Sequence, residues 1–494
     1  MNFFDEMEAR IPRGKVRTRF APSPTGYLHV GGLRTALYAY FYAKKNGGQF
    51  VLRIEDTDRN RLVEGAVDVI IRTLRETGLI YDEGPDVGGP YGPYIQSERK
   101  TGYLEYAKQL VEKGAAYYCF CTKERLETLP DVNGARKYDK HCLHLSKEEV
   151  EARLAAGEPY VIRQNVPETE GANTYHDMVF GDITVDNNEM EDQILIKSDG
   201  MPTYNFANVI DDHLMNITVV MRGSEYLTST PKYNMLYDAF GWERPIYIHL
   251  PSIMKDAQHK LSKRDGSASY EDLIAKGYLK DAVLNYIALL GWAPKDNREK
   301  MTFGEMLEAF DIDGISRSNS IFDENKLNWL NSEYIKEMSD EEFLKIASPW
   351  LDKSVAAGGK YDYALLAKLC KTRISRLDEI PALVSFLDGF GEYDTELFVH
   401  KKMKTDKALA KEYLPLVREC FENLDDWSEK GVHDALNALI AKLGCKNGQI
   451  FWPVRVALSG LASTPGGATE IAELLGKEKS LERLDFGIKL LGKE

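Results

Sequence analysis

The chain contains 494 residues, of which 43% are hydrophobic and 28% are charged. This composition excludes a disordered chain, and at about 100–200 residues per domain the length predicts roughly three or four domains. The net charge of −14 argues against a general coat for nucleic acid, although a local basic patch could still bind it.

Cysteine content and hydropathy indicate the cellular setting. Six cysteines are too few for a disulfide scaffold, which suits a reducing compartment. The first residues lack an apolar signal segment, and the longest apolar stretch, around residues 282–293, is too short to span a bilayer. We therefore expect a cytoplasmic protein that contacts no membrane.

The first predicted elements form an α/β unit. Residues 16–20 alternate neutral side chains with two arginines, which predicts a β-strand, and the prolines and glycine of residues 21–26 end it. Apolar residues at helical spacing over 33–41 predict a helix that ends at Asn46-Gly47-Gly48. Residues 50–54 alternate as a second strand. Strand, loop, helix and strand in this order predict half of a nucleotide-binding sheet.

The rest of the chain changes character twice. Residues from about 100 to 210 contain a cysteine and histidine cluster among mixed strands, and residues 242–269 return to short strands and loops. Beyond about Asp281 the periodicity is helical, as in segments 363–375, 408–423 and 432–443. We therefore predict an α/β half followed by an all-α region.

The loop Ala21–Gly32 predicts a site for a phosphate or a flat ring. His29 stands before a predicted helix whose first residues, Gly31 and Gly32, have no side chains, so backbone N–H groups and the positive helix end are accessible. An imidazole there can donate to phosphate oxygens whose charge increases in a transition state. A His-x-Gly-Gly motif alone would more often be an ordinary turn, but the preceding Pro-Ser-Pro-Thr-Gly favours the site.

A second candidate is the basic run Lys260-Leu261-Ser262-Lys263-Arg264. Gly and Ser residues follow it, which predicts a loop able to close over a polyphosphate as charge develops. Alone, such a run would more often be a solvated turn. A Walker-type motif is missing from the sequence, so an ordinary P-loop triphosphatase is not predicted.

Together these segments resemble the signatures of class I aminoacyl-tRNA synthetases. His29-Val30-Gly31-Gly32 stands where that family has HIGH, and Lys260–Arg264 stands where it has KMSKS. Gly32 replaces the second histidine, so no role for a second histidine is implied. More specifically, the chain resembles bacterial glutamyl-tRNA synthetases, through the segments 19–26, 53–58, 198–204 and 208–213.

The resemblance implies a multidomain α/β and all-α fold with a Rossmann-type catalytic domain, an inserted acceptor-stem-binding domain and a helical anticodon-binding region. The division we expect is residues 1–98 for the first half of the catalytic domain, 99–208 for the insertion, 209–255 for the second catalytic half, 256–335 for the basic loop and a stem-contact junction, and 336–494 for the anticodon domain, itself of two helical subdomains. The family also suggests a monomer.

The resemblance also implies which residues hold the substrates. Those expected to contact L-glutamate are Arg19, Ala21, Ser23, Glu55, Tyr204, Asn208 and Arg222. Of these, Arg19 and Arg222 would bind the side-chain carboxylate in charge-assisted pairs, and Glu55 would bind the α-ammonium. Those expected to contact ATP are His29, Gly31, Gly32, Lys260, Ser262 and Lys263, with His29, Lys260 and Lys263 acting catalytically beside Mg²⁺.

The implied reaction has two steps and needs no nucleophilic side chain. Glutamate attacks the α-phosphate of ATP to form glutamyl-adenylate and pyrophosphate, and the terminal ribose of tRNA(Glu) then takes the glutamyl group. Members of this family need bound tRNA before they activate the amino acid, and we expect the same here. The sequence is compatible both with an enzyme restricted to tRNA(Glu) and with one that also charges tRNA(Gln).

The cysteine and histidine cluster predicts a metal site. Cys119–Cys121 and Cys142–His144 form two close pairs, which can close a tetrahedral Zn²⁺ site, although their spacing also fits reduced thiols and a surface histidine. Zinc-bearing members of the family have the same arrangement, including a tyrosine at the position of Tyr138. His141 competes with His144 as the fourth ligand. We expect one structural zinc ion bound by Cys119, Cys121, Cys142 and His144.

The helical C-terminal third distinguishes this chain from related enzymes. Glutaminyl-tRNA synthetases read the anticodon with β-barrels, and a truncated relative that glutamylates a modified tRNA base lacks this region. Arg373 and Arg376 are candidate anticodon contacts, although for either one a solvated surface role is common. Two other classes compete: an adenylate-forming nucleotidyltransferase that uses no tRNA, and a non-catalytic RNA-binding paralogue, which would predict a damaged site.

Overall fold

The computed structural model describes residues 16–58, 62–132, 135–168, 171–261, 269–389 and 391–493, which pack into two compact units. The first unit contains the residues up to Leu273 together with Val283–Asp323, and the second contains Ile274–Ala282 and Glu324–Glu494.

The strands are short, and all but β12 and β13 lie before residue 251. They are β1 (Arg17–Phe20), β2 (Gln49–Leu52), β3 (Ala116–Cys119), β4 (Asp131–Val132), β5 (Ala135–Arg136), β6 (Val161–Gln164), β7 (Ala172–Asp177), β8 (Gly181–Asp186), β9 (Ile194–Ile196), β10 (Val219–Gly223), β11 (Ile246–Leu250), β12 (Ile253–Met254) and β13 (Ser320–Ile321).

The helices fall into two groups. Those that begin in the first half of the chain are α1 (Val30–Lys45), α2 (Ala66–Glu76), α3 (Lys100–Glu112), α4 (Lys123–Glu127), α5 (Lys147–Ala155), α6 (Tyr204–Leu214) and α7 (Thr230–Phe240). Those that follow are α8 (Tyr270–Ala275), α9 (Lys280–Leu289), α10 (Phe303–Ala309), α11 (Glu324–Glu337), α12 (Asp340–Leu351), α13 (Tyr363–Lys371), α14 (Ile380–Leu383), α15 (Lys407–Glu422), α16 (Glu429–Leu443), α17 (Asn447–Ser459) and α18 (Ala468–Gly492).

A six-stranded sheet organises the first unit, in the order β2-β1-β10-β11-β7-β8. The pairs from β2 to β7 are parallel, and β8 adds an antiparallel edge. The chain passes from β1 to β2 on one side, while β10 lies on the other side of β1. In such sheets the carboxyl ends of the strands at this reversal form a binding crevice, so the sequence prediction of a Rossmann-type fold is confirmed.

Strand β1 and helix α1 match the sequence pattern, with one difference. The helix ends where predicted, at Asn46, whose N–H donates to the carbonyl oxygen of Tyr42 over 3.3 Å. The alternation of β1 suggests one polar face, yet both faces are buried and both arginines lie inside. Arg17 can be buried because Glu83 pairs with it at 2.7 Å, and Asp212 pairs with Arg19.

Two strands of the predicted insertion belong to the main sheet. β7 pairs with β11, and β8 extends the same edge, whereas β3, β6 and β9 form a separate antiparallel sheet. The expected division at residues 208 and 209 also falls inside α6, and that at 335 and 336 falls inside α11. The proposed domain borders therefore divide single elements of structure.

The second unit consists of helices among its described residues, and it has its own hydrophobic core. The helices predicted over segments 363–375, 408–423 and 432–443 are confirmed as α13, α15 and α16. α18 contains a kink at Gly476, where φ is 75°. Across the described ranges of the chain, no helix is both long enough and apolar enough to cross a membrane.

Candidate active site

A cavity of about 460 Å³ lies at the carboxyl ends of β1 and β10. Its walls come from the loop after β1, the residues after β2, the start of α6 and the end of β10. The lining residues are Arg19, Phe20, Ala21, Ser23, Thr25, Gly32, Thr35, Glu55, Thr57, Asp58, Leu62, Tyr204, Met221, Arg222, Gly223 and Tyr226.

Six of the seven residues predicted to contact glutamate line this cavity, namely Arg19, Ala21, Ser23, Glu55, Tyr204 and Arg222. Asn208 does not line it. One turn along α6, its side-chain amide is buried and donates to the carbonyl oxygen of Tyr204 over 2.8 Å. Asn208 therefore supports the start of the helix that carries Tyr204.

Arg222 is a buried cation with no ion-pair partner among the described residues. Its side chain makes hydrogen bonds to His249 and Thr230, and none of the carboxylates in the described ranges forms an ion pair with it. The rings of Tyr226, Tyr233 and Tyr247 surround the guanidinium at 5.0, 4.8 and 5.5 Å. Because a buried charge without compensation is costly, this site favours an anionic ligand.

Arg19 is already paired within the protein. Asp212 accepts from the Nε of Arg19 over 3.0 Å and from the Nη1 of Arg53 over 2.7 Å, and Arg53 also donates to Glu55 over 2.8 Å. Burial acts to raise the pKa of Asp212, but the two guanidinium groups hold it below its ordinary value. Burial raises the pKa of Glu55, with Arg53 opposing the shift. A substrate ammonium would stabilise the ionised form of Glu55.

His29 caps the first turn of α1. Its Nδ1 accepts from the backbone N–H of Gly31 over 3.0 Å, so a neutral ring has its proton on Nε2 and can donate from there. A Cβ at Gly31 would lie 3.3 Å from that Nδ1, and one at Gly32 would lie 3.2 Å from Leu28. Of the predicted HIGH-like residues, only Gly32 lines the cavity itself.

Part of the predicted ATP contact lies outside the described residues. This applies to Ser262 and Lys263, so their roles stay predictions. Lys260 is described: its backbone bridges Met254, and its Nζ lies 3.8 Å from the carboxylate of Glu225, just beyond β10. The lysine side chain is 59% exposed and is therefore accessible to a ligand.

The three predicted cysteine ligands converge. The sulfurs of Cys119, Cys121 and Cys142 all lie within 4.8 Å of one another. The hydroxyl of Tyr138 lies 3.3 Å from the first two sulfurs, and Arg163 donates to the sulfur of Cys119 over 3.3 Å. Hydrogen bonding with Cys142, then with Tyr138, the backbone of Cys121 and Arg163, lowers the pKa of Cys119 to about 4.

This donor set fits Zn²⁺, which binds thiolate sulfur. The structure does not bring His144 or His141 into the cluster, and both residues are exposed. The oxygen within reach of the sulfurs is the Tyr138 hydroxyl, 3.3 Å from Cys119 and Cys121. His144 as the fourth ligand stays a prediction.

The two predicted anticodon residues differ in their surroundings. Arg376 pairs with Asp378 at 2.9 Å and with Glu324 at 3.4 Å, which occupies its guanidinium. Arg373 is exposed, and among the described residues no carboxylate pairs with it. Burial, together with the positive charge of Arg373, lowers the pKa of Arg455 on α17. The two cations therefore repel each other across the helical unit.

Four residues behind the cavity were missed by sequence reasoning. Arg53 and Asp212 lie inside segments that carry the family resemblance, so their charge could have drawn attention. Asp177 and His249 gave no signal, because each is a single polar residue in a short strand. Only the pairing of β7 with β11 brings them together.

Two family models match this chain and together cover nearly its whole length. A model of tRNA synthetases class I (E and Q), catalytic domain, matches residues 15–329, and a model of an anticodon binding domain matches residues 328–488.

Individual proteins are similar over nearly the whole length. A glutamate–tRNA ligase of Clostridium botulinum (strain Eklund 17B) is 59% identical over 483 residues, covering 97% of this chain and 99% of the relative. One of Clostridium kluyveri is 57% identical over 481 residues, covering 97% and 98%. A solved glutamate–tRNA synthetase of Elizabethkingia anophelis has a TM-score of 0.85 at 35% identity and covers 96% of this chain and 100% of its own.

Proposed function

The chain belongs to the class I tRNA synthetases (E and Q), and on that basis we propose that it activates L-glutamate with ATP and transfers the glutamyl group to the 3′-terminal adenosine of tRNA(Glu). AMP and pyrophosphate are released. The family implies ATP, an amino acid and tRNA as substrates, and ATP use implies Mg²⁺. We further propose a cytoplasmic monomer.

The observation that carries the choice of glutamate is the charge of Arg222. It is buried, it lines the cavity, and its protein partners are neutral hydrogen-bond acceptors. A carboxylate side chain would supply the missing negative charge, whereas an amide would leave the cation uncompensated. The second predicted arginine, Arg19, adds donors from the same wall but has less free charge because of Asp212.

The chemistry then depends on position and charge. Glu55 would bind the substrate ammonium, and Arg222 the side-chain carboxylate, which leaves the α-carboxylate to react with ATP. A new bond joins that carboxylate to the α-phosphorus of ATP while the bond to pyrophosphate breaks. His29 and Lys260, with Lys263, would stabilise charge on the phosphate oxygens. Mg²⁺ would supply further charge neutralisation when bound with ATP.

Two further parts of the proposal concern tRNA. Cys119, Cys121 and Cys142 would hold one structural zinc ion in the part of the first unit predicted to grip the acceptor stem, with His144 as the predicted fourth ligand. Arg373 would contact the anticodon, supported by its exposure and by the lack of a paired carboxylate among the described residues. The matched anticodon binding domain argues against a nucleotidyltransferase that uses no tRNA.

A pyrophosphate-exchange assay tests the proposal. Exchange should require glutamate and should increase strongly when tRNA(Glu) is added, whereas glutamine should support little exchange. A non-catalytic paralogue would give no exchange with any amino acid. Exchange that is equally fast without tRNA would favour the simpler nucleotidyltransferase.

A further inference from the structure

Two neutral acceptors orient Arg222. Its Nε–H donates to the Nε2 of His249 over 3.1 Å, and its Nη2 donates to the hydroxyl oxygen of Thr230 over 2.7 Å. The Thr230 hydroxyl in turn donates to the carbonyl oxygen of Tyr226 over 2.8 Å. Both acceptors are 0% exposed, so water does not compete for these bonds.

Asp177 determines which nitrogen of His249 carries the proton. Its Oδ2 lies 2.7 Å from the Nδ1 of His249 and also accepts the backbone N–H of that residue over 3.0 Å. A carboxylate only accepts, so the ring proton lies on Nδ1 and the lone pair of Nε2 points at Arg222. Burial lowers the pKa of His249, which keeps the ring neutral.

The carboxylate of Asp177 is itself held in place. Its Oδ1 accepts the backbone N–H groups of Val179 over 3.0 Å and Phe180 over 2.9 Å, in the turn between β7 and β8. The chain of contacts therefore runs from a fixed turn, through one carboxylate and one imidazole, to the guanidinium. The Thr230 hydroxyl also lies 3.4 Å from the Nε2 of His249, but its shorter contact is to the Tyr226 carbonyl oxygen.

This arrangement orients a cation without neutralising it. A carboxylate in the place of His249 would hold Arg222 equally well, but it would form an ion pair and remove the need for an anionic ligand. An imidazole between Arg222 and Asp177 keeps the negative charge one ring further away. The guanidinium is thus fixed in direction while its charge remains available to the cavity.

We infer that His249 and Asp177 are positioning residues that fix Arg222 as an uncompensated cation, so that the cavity selects a substrate with a carboxylate side chain over one with an amide. The inference rests on the proposed function, because it assigns Arg222 to the glutamate side chain. It predicts that the pair affects amino-acid binding and leaves ATP binding unchanged.

A second histidine–aspartate pair, which joins β7 to β8, provides a control for the buried pair, which joins β7 to β11. The Nδ1 of His176 lies 2.8 Å from the Oδ1 of Asp182, so the same ring nitrogen faces a carboxylate as in the buried pair, but both side chains are more than half exposed. A general effect of removing an aspartate that contacts a histidine on β7 or a neighbouring strand should appear in this pair too. An effect through Arg222 should appear only in the buried one.

The experiment measures KM for glutamate, KM for ATP and the preference for glutamate over glutamine by tRNA-dependent pyrophosphate exchange. In His249→Phe the ring stays but the acceptor is lost, and the KM for glutamate should rise about 10- to 100-fold, the value of one hydrogen bond to a charged group. The KM for ATP should stay within about twofold on the same reasoning. Asp177→Asn should behave like His249→Phe. His249→Gln should recover part of the loss, because its amide oxygen can accept the hydrogen bond. Asp182→Asn should match the wild type.

Three results would overturn the inference: an unchanged KM for glutamate in folded His249→Phe, a parallel rise of both KM values, or an equal effect in Asp182→Asn. If His249→Phe does not fold, ¹⁵N NMR of the wild-type histidines decides, because a proton on Nε2 at neutral pH would contradict the geometry and a proton on Nδ1 would support it. A wild-type chain that does not use glutamate would instead refute the proposed function as well.

Discussion

Arg19 donates its Nε–H to the Oδ1 of Asp212 over 3.0 Å, so this cavity arginine is paired inside the protein. The same oxygen accepts from Arg53, which holds Glu55. One buried carboxylate therefore links the residue predicted to bind the substrate ammonium with one of the two predicted carboxylate partners. Arg19 and Arg222 are therefore not equivalent, because Arg19 has a carboxylate partner within the protein and Arg222 has none among the described residues.

Replacing Arg222 by glutamine should change amino-acid choice. We expect the KM for glutamate to rise at least about 100-fold, because breaking a buried charge pair costs ~3–5 kcal/mol, while the KM for ATP stays nearly constant. The relative use of glutamine should increase. Pyrophosphate exchange with each amino acid measures both effects.

Arg244→Gln is the matched control for that change. Arg244 lies in the same unit and pairs with Asp238 on the surface, so its replacement should leave both KM values unchanged. Equal losses for glutamate and ATP in Arg222→Gln would indicate a damaged fold and contradict the assignment.

Lys260→Ala should slow adenylate formation without unfolding the chain. We expect a rate loss of roughly 10²–10³, typical of removing one donor that stabilises transition-state charge. Stability should hardly change, since the side chain is 59% exposed and its nearest carboxylate is 3.8 Å away. Single-turnover kinetics and thermal unfolding measure the two quantities. Lys255→Ala, on the same segment, is the control. An unchanged rate in Lys260→Ala would refute the role of Lys260 in stabilising transition-state charge.

His249 should make stability depend on pH. Its pKa in the folded chain is lowered by burial, so between that value and about 6.5 the unfolded chain binds a proton that the folded chain does not. The contribution of His249 to the free energy of unfolding is therefore fully present above pH 6.5. It is lost as the pH falls, with a slope of up to about 1.4 kcal/mol per pH unit. The groups facing this ring are Asp177, Arg222, Thr230, Tyr175 and Tyr247, and the charge of Glu225 also acts on it.

Denaturant unfolding from pH 5 to pH 8 tests this dependence. His249→Gln should unfold with a flatter pH profile than the wild type below pH 6.5, because the titrating group has been removed. His176→Gln removes an exposed histidine and should leave the profile unchanged. Identical profiles for the wild type and His249→Gln would show that the imidazole is not a buried neutral group.

Sequence reasoning predicts the local structure of this chain better than its buried charges. The strand at residues 17–20 follows from alternation, but its two arginines can be buried only because Glu83 and Asp212 meet them from distant segments. The Asp177–His249 contact depends on β7 joining the central sheet, and no local pattern indicates that pairing. Periodicity reports the neighbours of a residue along the chain, whereas compensation of a buried charge depends on tertiary packing.

The chain as purified without chelators should contain about one zinc ion, as expected of a site with three thiolates. Cys142→Ser should abolish zinc binding, because it removes one of the three convergent sulfurs, whereas Cys445→Ser in the second unit should leave it intact. Metal analysis by mass spectrometry gives the stoichiometry. The same metal analysis of His144→Ala and Tyr138→Phe identifies the fourth ligand. Zinc retained in Cys142→Ser would contradict the site.

Arg373→Ala should weaken tRNA binding more than Arg376→Ala. Arg376 is engaged by Asp378 and Glu324, whereas Arg373 is exposed and lies near the cation of Arg455. If Arg373 contacts an anticodon phosphate, its loss should lower affinity by roughly tenfold and reduce the salt slope by about one. Binding of labelled tRNA(Glu) at several salt concentrations measures both values. Lys430 is an exposed cation paired with Asp434, so Lys430→Ala controls for the change in net charge. A larger loss of affinity in Arg376→Ala would place the contact elsewhere on the helical unit.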